Sequence, residues 1–342
     1  MSEIPSGAMR FNSDSQKLEY WNGSAWFQVH TATPDLATAG DPTPGVRGVY
    51  GGGDQGGTQQ DVIQYINIAS TGDSIDFGDL TGTSTIFTAA SSSARGLFAR
   101  GYLGGTTDTN VIEFITISSL GDGTNFGDLT EIRRGLNGLA NATRGCFGGG
   151  LRTNPSPTVW FNVIDYVTIA STGDAQDFGD LTQTRASVDM GCSSPVRGLF
   201  AGGQQPAASD RIDYITIATT GDATDFGNLT VARGGTAGCS NAIKALWGGG
   251  YSGNSTIDVV TIASGGNSVK FGDLSIGRGT CGGMASATRG VFAAGNNPSP
   301  LSAGSNIIDY VEFATEGNAI DFGDILSARQ RGAGLSNGHG GL

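Results

Sequence analysis

The sequence is poor in the residues that most catalytic and metal sites use. Its 342 residues include only two histidines, His30 and His339, and four cysteines without a Cys-x-x-Cys spacing. Neither a histidine-bearing triad nor a histidine-rich metal site can be assembled from this set. We therefore expect no enzyme activity, no metal and no cofactor.

The sequence contains an internal repeat, and the four cysteines lie one to a copy. Cys192 and Cys239 occupy like positions in successive copies. We expect them to be reduced and packed as small hydrophobic residues, and a disulfide or a reactive thiol is the alternative. The cysteines are Cys146, Cys192, Cys239 and Cys281.

Positive charge is also scarce, with 19 Lys and Arg against 31 Asp and Glu, a net charge of −12 and a pI near 4.5. A nucleic-acid partner would call for a basic stripe, so none is expected. No window approaches the roughly 18 apolar residues of a membrane span. The start, MSEIPSGAMR, has no apolar signal core. The sequence thus predicts neither membrane insertion nor export by a signal peptide.

What the sequence does contain is glycine, at 58 residues, and an internal repeat. Residues 212–230, IDYITIATTGDATDFGNLT, have close copies that begin at Ile63, Ile112, Ile164, Ile257 and Ile308. In each copy an alternating apolar and polar run leads to Gly-Asp or Gly-Asn and then to Phe-Gly. This pattern is typical of a two-stranded hairpin. A repeat length near 48 residues favours a propeller of four-stranded blades.

Two further strands complete each repeat. A basic residue stands three positions before an aromatic residue and six before a glycine, as in RGLFAGG at residues 197–203. A Gly- and Ala-rich run precedes it, and such small residues suit the strand nearest the propeller axis. We name the strands a (Gly- and Ala-rich, inner), b (RGLFAGG), c (IDYITIA) and d (DFGDL, outer).

The repeats start at Arg47 with a b strand and end, over residues 328–336, with an a strand that has no following b strand. We predict that this last strand completes the first blade. The predicted fold is therefore all-β, a six-bladed propeller closed by its C-terminal strand. Residues 1–30 form a small β-meander module, residues 31–46 a linker, and residues 47–342 the propeller.

Two resemblances carry the family inference. The RGLFAGG word, followed by a Tyr-bearing strand and an aromatic strand, resembles the kelch repeat, although Phe-Gly-Asp stands where kelch repeats have Trp. The N-terminal words Met9-Arg-Phe-Asn-Ser-Asp14, Leu18-Glu19 and Trp21-Asn-Gly23 resemble a short module of bacteriophage tail-fibre and other virion proteins. A generic β-meander is the alternative for this segment. The second resemblance implies attachment to other virion proteins and a homotrimer.

Only the b-to-c connection varies in length. With alternating strand directions, the b-to-c and d-to-a loops share one face of the propeller, and both ends of the repeat region lie on the other. Variation on one rim of a rigid scaffold is typical of a recognition surface, and aromatic and polar side chains there suit sugar binding. Loops that vary without a function are the alternative. The candidate ligand-binding residues are Tyr102, Arg152, Asn154, Trp160, Gln204, Tyr251 and Asn297.

An arginine follows strand d in five of the six repeats, at Arg133, Arg185, Arg233, Arg278 and Arg329. We expect each to pair with the Asp of a neighbouring Phe-Gly-Asp and so to tie blade to blade. An anion site in the axial channel is the alternative reading.

Together these features predict a bacteriophage virion structural protein, assembled in the host cytoplasm. In the preferred hypothesis it is a tail-fibre or adhesin component that recognises host surface glycans through its loops. The alternatives are a capsid or tail decoration or connector protein, which binds only other virion proteins, and a cellular kelch-type scaffold or hydrolase.

Overall fold

The computed structural model describes residues 5, 7–12, 17–28, 47–103, 107–186, 189–296 and 304–342. The chain divides into two compact units, Met1–Asp41 and Pro42–Leu342. The first unit contains a three-stranded antiparallel sheet of β1 (Met9–Asn12), β2 (Lys17–Trp21) and β3 (Trp26–Gln28). The predicted three strands are confirmed, and Asn22 Oδ1 accepts hydrogen bonds from the Ser24 and Ala25 amides, each at 2.8 Å. The predicted linker lies outside the described residues.

The second unit is built almost wholly of strands. The first are β4 (Arg47–Gly51), β5 (Asp54–Gln55), β6 (Thr58–Asn67), β7 (Ile75–Thr85), β8 (Thr88–Ser91), β9 (Arg95–Ala99), β10 (Tyr102–Leu103), β11 (Thr107–Asp108), β12 (Val111–Thr116) and β13 (Thr124–Asp128). Then follow β14 (Asn137–Ala140), β15 (Arg144–Gly148), β16 (Leu151–Arg152), β17 (Val159–Trp160), β18 (Val163–Thr168), β19 (Gln176–Asp180), β20 (Asp189–Met190), β21 (Cys192–Ser193) and β22 (Arg197–Ala201). The last are β23 (Gln204–Gln205), β24 (Ala207–Ala208), β25 (Arg211–Thr216), β26 (Thr224–Asn228), β27 (Ala237–Ser240), β28 (Lys244–Gly248), β29 (Thr256–Thr261), β30 (Val269–Asp273), β31 (Gly282–Ala285), β32 (Arg289–Ala293), β33 (Ser305–Glu312), β34 (Ile320–Arg329) and β35 (Ala333–Ser336). A 3-10 turn spans Tyr251–Gly253.

The chain folds as an all-β propeller, but the prediction of six four-stranded blades is wrong, because the structure shows five blades. Five blades of four or five strands are each formed from one stretch of chain, namely β8–β9–β12–β13, β14–β15–β18–β19 with β20, β21–β22–β25–β26, β27–β28–β29–β30 and β31–β32–β33–β34. The other sheet has seven strands and combines β4, β5, β6 and β7 with β10, β11 and β35. Two short ribbons, β16–β17 and β23–β24, stand apart from these sheets.

The departures from uniform blades have local causes. Ser84 stands where other repeats have Arg, and β7 continues through Thr85. There it pairs with Tyr102 and Leu103 of the next repeat, which brings β10 and β11 into the same sheet. In the fourth repeat the inner strand is divided at Gly191, and its first half, β20, pairs in parallel with β14 of the preceding blade. In both cases a strand that the repeat pattern assigns to one blade pairs with a strand of a neighbouring repeat.

The predicted closure of the ring is observed. β35 runs antiparallel to β4, with Ala333 opposite Gly51 and Ser336 opposite Gly48. Asn337 continues the connection, because its Oδ1 accepts a hydrogen bond from the Arg47 amide at 2.9 Å. The last strand of the repeat region therefore leaves no free edge on β4, as a closed propeller requires.

The core lies between successive sheets, where side chains of strands b, c and d of one sheet meet strands a, b and c of the next. In one such layer Leu97, Ile112 and Phe126 pack with Phe147 and Val167 of the following blade, and all five are at most 3% exposed. Glycines make the close approach possible, since a Cβ on Gly148 would lie 3.1 Å from the ring of Phe200. No helix in the described part of the chain has the length and apolarity needed to span a bilayer.

Candidate recognition rim

The b-to-c and d-to-a loops share one side of the propeller, which we call the loop face. Paired backbone hydrogen bonds hold the b-to-c loops to the d-to-a segments beside them. Arg134 and Leu151 exchange two such bonds of 2.9 Å each, and Asp54 and Gln330 exchange bonds of 2.8 and 3.0 Å. The remaining bridges of this kind join Ala186 to Gln204 and Gly279 to Asn296. The start of each of these loops is therefore fixed on the scaffold.

On the loop face, main-chain hydrogen bonds join the segments that precede several of the inner strands. The Gly135 amide donates to Ile86 O (3.2 Å), Ile86 to Arg331 O (3.1 Å), Arg331 to Thr280 O (3.2 Å) and Thr280 to Gly235 O (2.7 Å). These residues share a left-handed backbone, with φ between 57° and 76°. Four head-to-tail bonds thus join the segments before five inner strands, and the candidate ligand-binding residues that the structure describes belong to other segments, the b-to-c loops.

Tyr102 belongs to a cluster that ties neighbouring loops. Its half-buried ring lies beneath the Arg134 guanidinium, 4.5 Å from centroid to Cζ. Arg134 Nη1 lies 3.2 Å from Asp108 Oδ1, and the other Asp108 oxygen accepts from the Thr153 amide at 2.9 Å. The cluster therefore joins the loop of Tyr102 to the next loop around the rim, which carries Arg152 and Asn154. The sequence did not single out Arg134 or Asp108, because neither recurs in the repeat.

The loop that follows carries three of the candidate residues. Trp160 is half-buried and faces Leu151 across the β16–β17 ribbon. Arg152 is also half-buried, and its guanidinium lies 6.0 Å from the ring of Phe161. Asn154 is exposed at the tip. An aromatic plane, a cation and an amide therefore lie within one short loop.

The other candidates lie farther around the rim. Gln204 is half-buried in the β23–β24 ribbon, opposite Ala208. Tyr251 is half-buried at the start of the 3-10 turn, and its ring covers Gly235, where an added Cβ would lie 3.0 Å from Cε1. Asn297 lies outside the described residues. The structure thus links the loops of Tyr102 and Arg152 directly and places Gln204 and Tyr251 in separate loops.

Four of the five arginines after strand d form buried ion pairs between adjoining repeats, but the predicted partner is wrong. The carboxylate belongs to the Asp of the Ile-Asp-Tyr strand, not to Phe-Gly-Asp. The pairs are Arg133–Asp165, Arg185–Asp213, Arg233–Asp258 and Arg278–Asp309, with N–O distances of 2.9, 3.0, 2.9 and 2.8 Å. Every side chain in them is at most 4% exposed. Burial lowers the pKa of the Arg133 guanidinium, and the Asp165 charge opposes this shift.

The same carboxylates also bind the end of strand d in the preceding blade. Asp165 accepts from the amide and the hydroxyl of Thr130, at 3.0 and 2.6 Å, and Asp213 binds Thr182 in the same way. The Phe-Gly-Asp residues have a different role, since the Asp128 amide donates to Asp174 Oδ1 of the next Gly-Asp turn at 3.0 Å. Both contacts tie blade to blade, through carboxylates of the Ile-Asp-Tyr strand and of the Gly-Asp turn, to which sequence analysis gave no role.

Arg329 is the exception among the five arginines, because Gln64 occupies the carboxylate position in the repeat that it faces. Its Nη1 donates to Val62 O at 3.2 Å and its Nε to Ser327 Oγ at 3.1 Å. Burial lowers the pKa of this guanidinium, while Tyr50, Asp61 and Asp79 raise it. The predicted salt bridge with Phe-Gly-Asp is absent from its described contacts.

Sequence reasoning missed a second set of inter-blade contacts, made by the basic residue that opens strand b. Arg144 Nη1 donates to Ile217 O and Ala218 O of the next blade at 3.0 and 2.9 Å. Arg47, Arg95, Arg197, Lys244 and Arg289 make corresponding bonds to main-chain carbonyls of their neighbours. The signal was present, since a basic residue stands at this position in every repeat.

Besides the rim, the described residues include metal-ligating and thiol side chains. No group of three or more His, Cys, Asp or Glu side chains is arranged to hold a metal ion in that part of the chain. The four cysteines are free and buried, as predicted. Burial raises the pKa of the Cys146 thiol to about 12, so its nucleophilic thiolate is disfavoured. His339 is held in the C-terminal tail, where its Nε2 lies 2.7 Å from Ser91 O.

Comparison with known proteins supports the fold and nothing finer. No family model and no curated protein sequence matches this chain. Among solved structures, one titled "Structure of YjhT" is similar with a TM-score of 0.59 and 12% sequence identity. The match covers 74% of this chain and 87% of that one. At this identity the likeness concerns the β-propeller architecture alone.

Proposed function

We propose that this protein is a kelch-like propeller of a bacteriophage virion, of the tail-fibre or adhesin type, that recognises host surface glycans through its loop face. The observation that carries the proposal is the loop of Arg152, Asn154 and Trp160. It places an aromatic surface beside a cation and an exposed amide on an anchored rim. Sugars offer apolar C–H faces to aromatic rings and hydroxyls to polar side chains, which this combination suits.

The virion assignment is supported by the N-terminal sheet and the sequence words that form it. Three short strands bury little apolar surface, and a sheet of this size is expected to need a partner. Arg10 pairs with Glu19 at 2.9 Å and its guanidinium lies 4.2 Å from the Trp26 ring centroid. These are residues of the words that resemble virion modules. Attachment of this sheet to other virion proteins, as a homotrimer, is part of the same proposal.

A glycan array probed with the full chain tests the recognition proposal. We expect a defined set of bacterial surface glycans to bind, and the Trp160→Ala and Asn154→Ala variants to lose binding. Leu120→Ala is a matched control, because Leu120 is 55% exposed in a c-to-d turn on the opposite face. Absence of glycan binding, or equal binding by wild type and Trp160→Ala, would refute the proposal.

A second candidate function is that of a connector or decoration protein that binds other virion proteins only. It is favoured by the face opposite the loops, which we call the tail face and which is formed by the a-to-b and c-to-d turns. Six large apolar side chains there are more than half exposed: Ile75, Leu120, Val196, Ile243, Val269 and Ile320. Cross-linking in assembled particles distinguishes the candidates, since a connector would be cross-linked through this face and show no glycan binding.

A further inference from the structure

On the tail face, five repeats share a stacked arrangement of three side chains. The arginine that opens strand b lies over the aromatic ring in strand c, and that ring meets the Phe of Phe-Gly edge to face. The guanidinium-to-ring distances are 4.5 Å for Arg47–Tyr65, 4.9 Å for Arg95–Phe114, 4.6 Å for Arg144–Tyr166, 4.9 Å for Arg197–Tyr214 and 4.7 Å for Arg289–Tyr310. The ring-to-Phe centroid distances are 5.8 to 6.1 Å.

The remaining repeat lacks this middle ring. Val259 occupies the position of the strand-c aromatic residue, and Lys244 replaces the arginine above it. Gly265 stands where the other c-to-d turns have Thr71, Leu120, Thr172, Thr220 and Glu316. Val259, Lys244 and Gly265 together place fewer side-chain atoms in this part of the blade than the equivalent residues of the other repeats do.

These substitutions leave a surface cleft of about 260 Å³. Val259 and its cross-strand neighbour Val269 form an apolar wall, and Lys244 and the Ser264–Asn267 turn border the opening. Glu316 from the next blade completes the border. A Cβ added to Gly265 would have only Phe226 O within 4 Å, at 3.6 Å, so the turn leaves the mouth open.

The groups around the cleft favour an aromatic occupant. Lys244 Nζ lies 5.8 Å from the Phe271 ring, and it is held by a 2.8 Å hydrogen bond to Phe313 O. An inserted ring would pack against Val259 and Val269 and lie beside this ammonium, as the internal rings of the other repeats lie beneath their arginines. A cation beside a ring adds attraction beyond the burial of the ring itself.

We propose that the cleft beside Val259 is a docking site for an aromatic side chain, Tyr or Trp, carried by a partner polypeptide. The protein's own repeats define the ligand, because they fill the equivalent space with a ring. Gly265 and Gly266 at the mouth favour a polypeptide source, since residues without side chains let another main chain approach closely. Val269, at 59% exposure, offers apolar surface for the residues that flank the inserted ring.

The site is tested with the full chain and three acetylated, amidated pentapeptides, Gly-Gly-Tyr-Gly-Gly, Gly-Gly-Trp-Gly-Gly and Gly-Gly-Leu-Gly-Gly. NMR titration should show one saturable site, with shifts of the Val259 and Val269 methyl signals. The aromatic peptides should bind about fivefold more tightly than the Leu peptide, the difference expected from one cation contact at an exposed site.

Two variants make the test specific. Val259→Tyr restores the side chain of the other repeats, so it should fill the cleft, abolish binding and leave the fold intact. The triple variant Arg197→Lys, Tyr214→Val and Thr220→Gly copies the cleft into the preceding blade and should raise the stoichiometry from one peptide to two. Equal affinity for the Leu and aromatic peptides, or unchanged binding by Val259→Tyr, would overturn the proposal.

Discussion

Arg100 Nη1 lies 2.5 Å from Glu113 Oε1 in a buried ion pair. Glu113 occupies the position in strand c that Asp165 and Asp213 hold in later repeats, but its arginine comes from a different position in the repeat pattern. In the four pairs described above, the guanidinium comes from the position after strand d of the preceding repeat. The residue at that position before Glu113 is Ser84. Arg100 instead occupies a position that is usually Gly, and its carboxylate partner is one methylene longer than Asp. The hydroxyl of Thr81 also bonds Glu113. The ion pair is thus kept although both of its members differ from the repeat pattern.

Removing Arg100 should be strongly destabilising. Arg100→Ala leaves Glu113, whose side chain is 0% exposed, as a buried carboxylate without its cation. The expected loss is about 3–5 kcal/mol in the free energy of unfolding, measured by urea denaturation. Arg211→Ala is the control, because its 3.8 Å pair with Asp225 is exposed; we expect about 1 kcal/mol or less there. Equal effects of the two substitutions would contradict this account.

The relocated pair also predicts a rescue. The triple variant Ser84→Arg, Arg100→Gly and Glu113→Asp rebuilds the arrangement of Arg133 and Asp165. Its free energy of unfolding, measured in urea, should lie within about 1 kcal/mol of the wild-type value, because the three substitutions together give the buried carboxylate a cation again. If the triple variant is as unstable as Arg100→Ala, the two arrangements are not interchangeable.

Removal of the last strand should destabilise the whole propeller. Deletion of residues 326–342 removes β35 and the end of β34, exposes the edge of β4 and takes Ala333 and Leu335 out of the core they share with Val49 and Phe98. We expect a single unfolding transition at lower temperature, measured by calorimetry. Leu342→Ala, which keeps β35 in place, should change the melting temperature little. A truncated chain that melts as the wild type does would show that closure contributes no stability.

The C-terminal tail should loosen as the pH falls. His339 Nε2 lies 2.7 Å from Ser91 O and Nδ1 accepts from the Gly341 amide at 3.1 Å, so both ring nitrogens are used by the neutral imidazole. Burial lowers the pKa of His339, and the bond to Ser91 opposes the shift. Because the pKa of His339 is lower in the folded protein than in the unfolded chain, the neutral ring stabilises the docked tail fully above about pH 6.5, the usual pKa of histidine. This stabilisation declines as the pH falls below that value.

Hydrogen exchange of the Gly340 and Gly341 amides between pH 7.5 and 5 measures this effect, after correction for intrinsic exchange rates. The Gly340 amide donates to Ser240 O at 2.7 Å and reports on tail docking. We expect protection to decrease toward pH 5 in the wild type. His339→Ala should be less protected at pH 7.5 and show little further change. Constant wild-type protection across this range would show that His339 does not control the tail.

The thiols should be inert in the folded protein. Burial raises the pKa of Cys146, Cys192, Cys239 and Cys281, and all four side chains are at most 4% exposed. With Ellman's reagent at pH 8, we expect no rapid reaction in buffer and four reacting thiols in guanidinium chloride. A thiol that reacts at once in the native protein would contradict the packing described here.

The periodic features were predictable because they are local. Alternation of apolar and polar residues around Ile164, Ile212 and Ile308 identified strands c, and the glycines after them identified the hairpins to strand d. The phase of the repeat also predicted closure, since Arg47 begins at strand b and the last strand is of type a. The candidate loops could be located from their length variation alone, but not their contacts, such as that of Tyr102 with Arg134.

The misassigned contacts depended on distances between repeats. Asp128 and Asp165 are equally reasonable partners for Arg133 by sequence, and only the packed structure shows that Asp165 faces it. The unequal sheets have a similar origin, because a strand such as β20 pairs with whichever neighbour presents a free edge.

By itself, the sequence determined the strand types, the hairpins and the meeting of the first and last strands, since these follow from spacing along one chain. The tertiary structure alone decided the number of strands in each sheet, the partners of the buried arginines and the cleft left by Val259. These depend on how the surfaces of successive repeats meet, and residues about 30 positions apart approach one another only after the strands between them have packed.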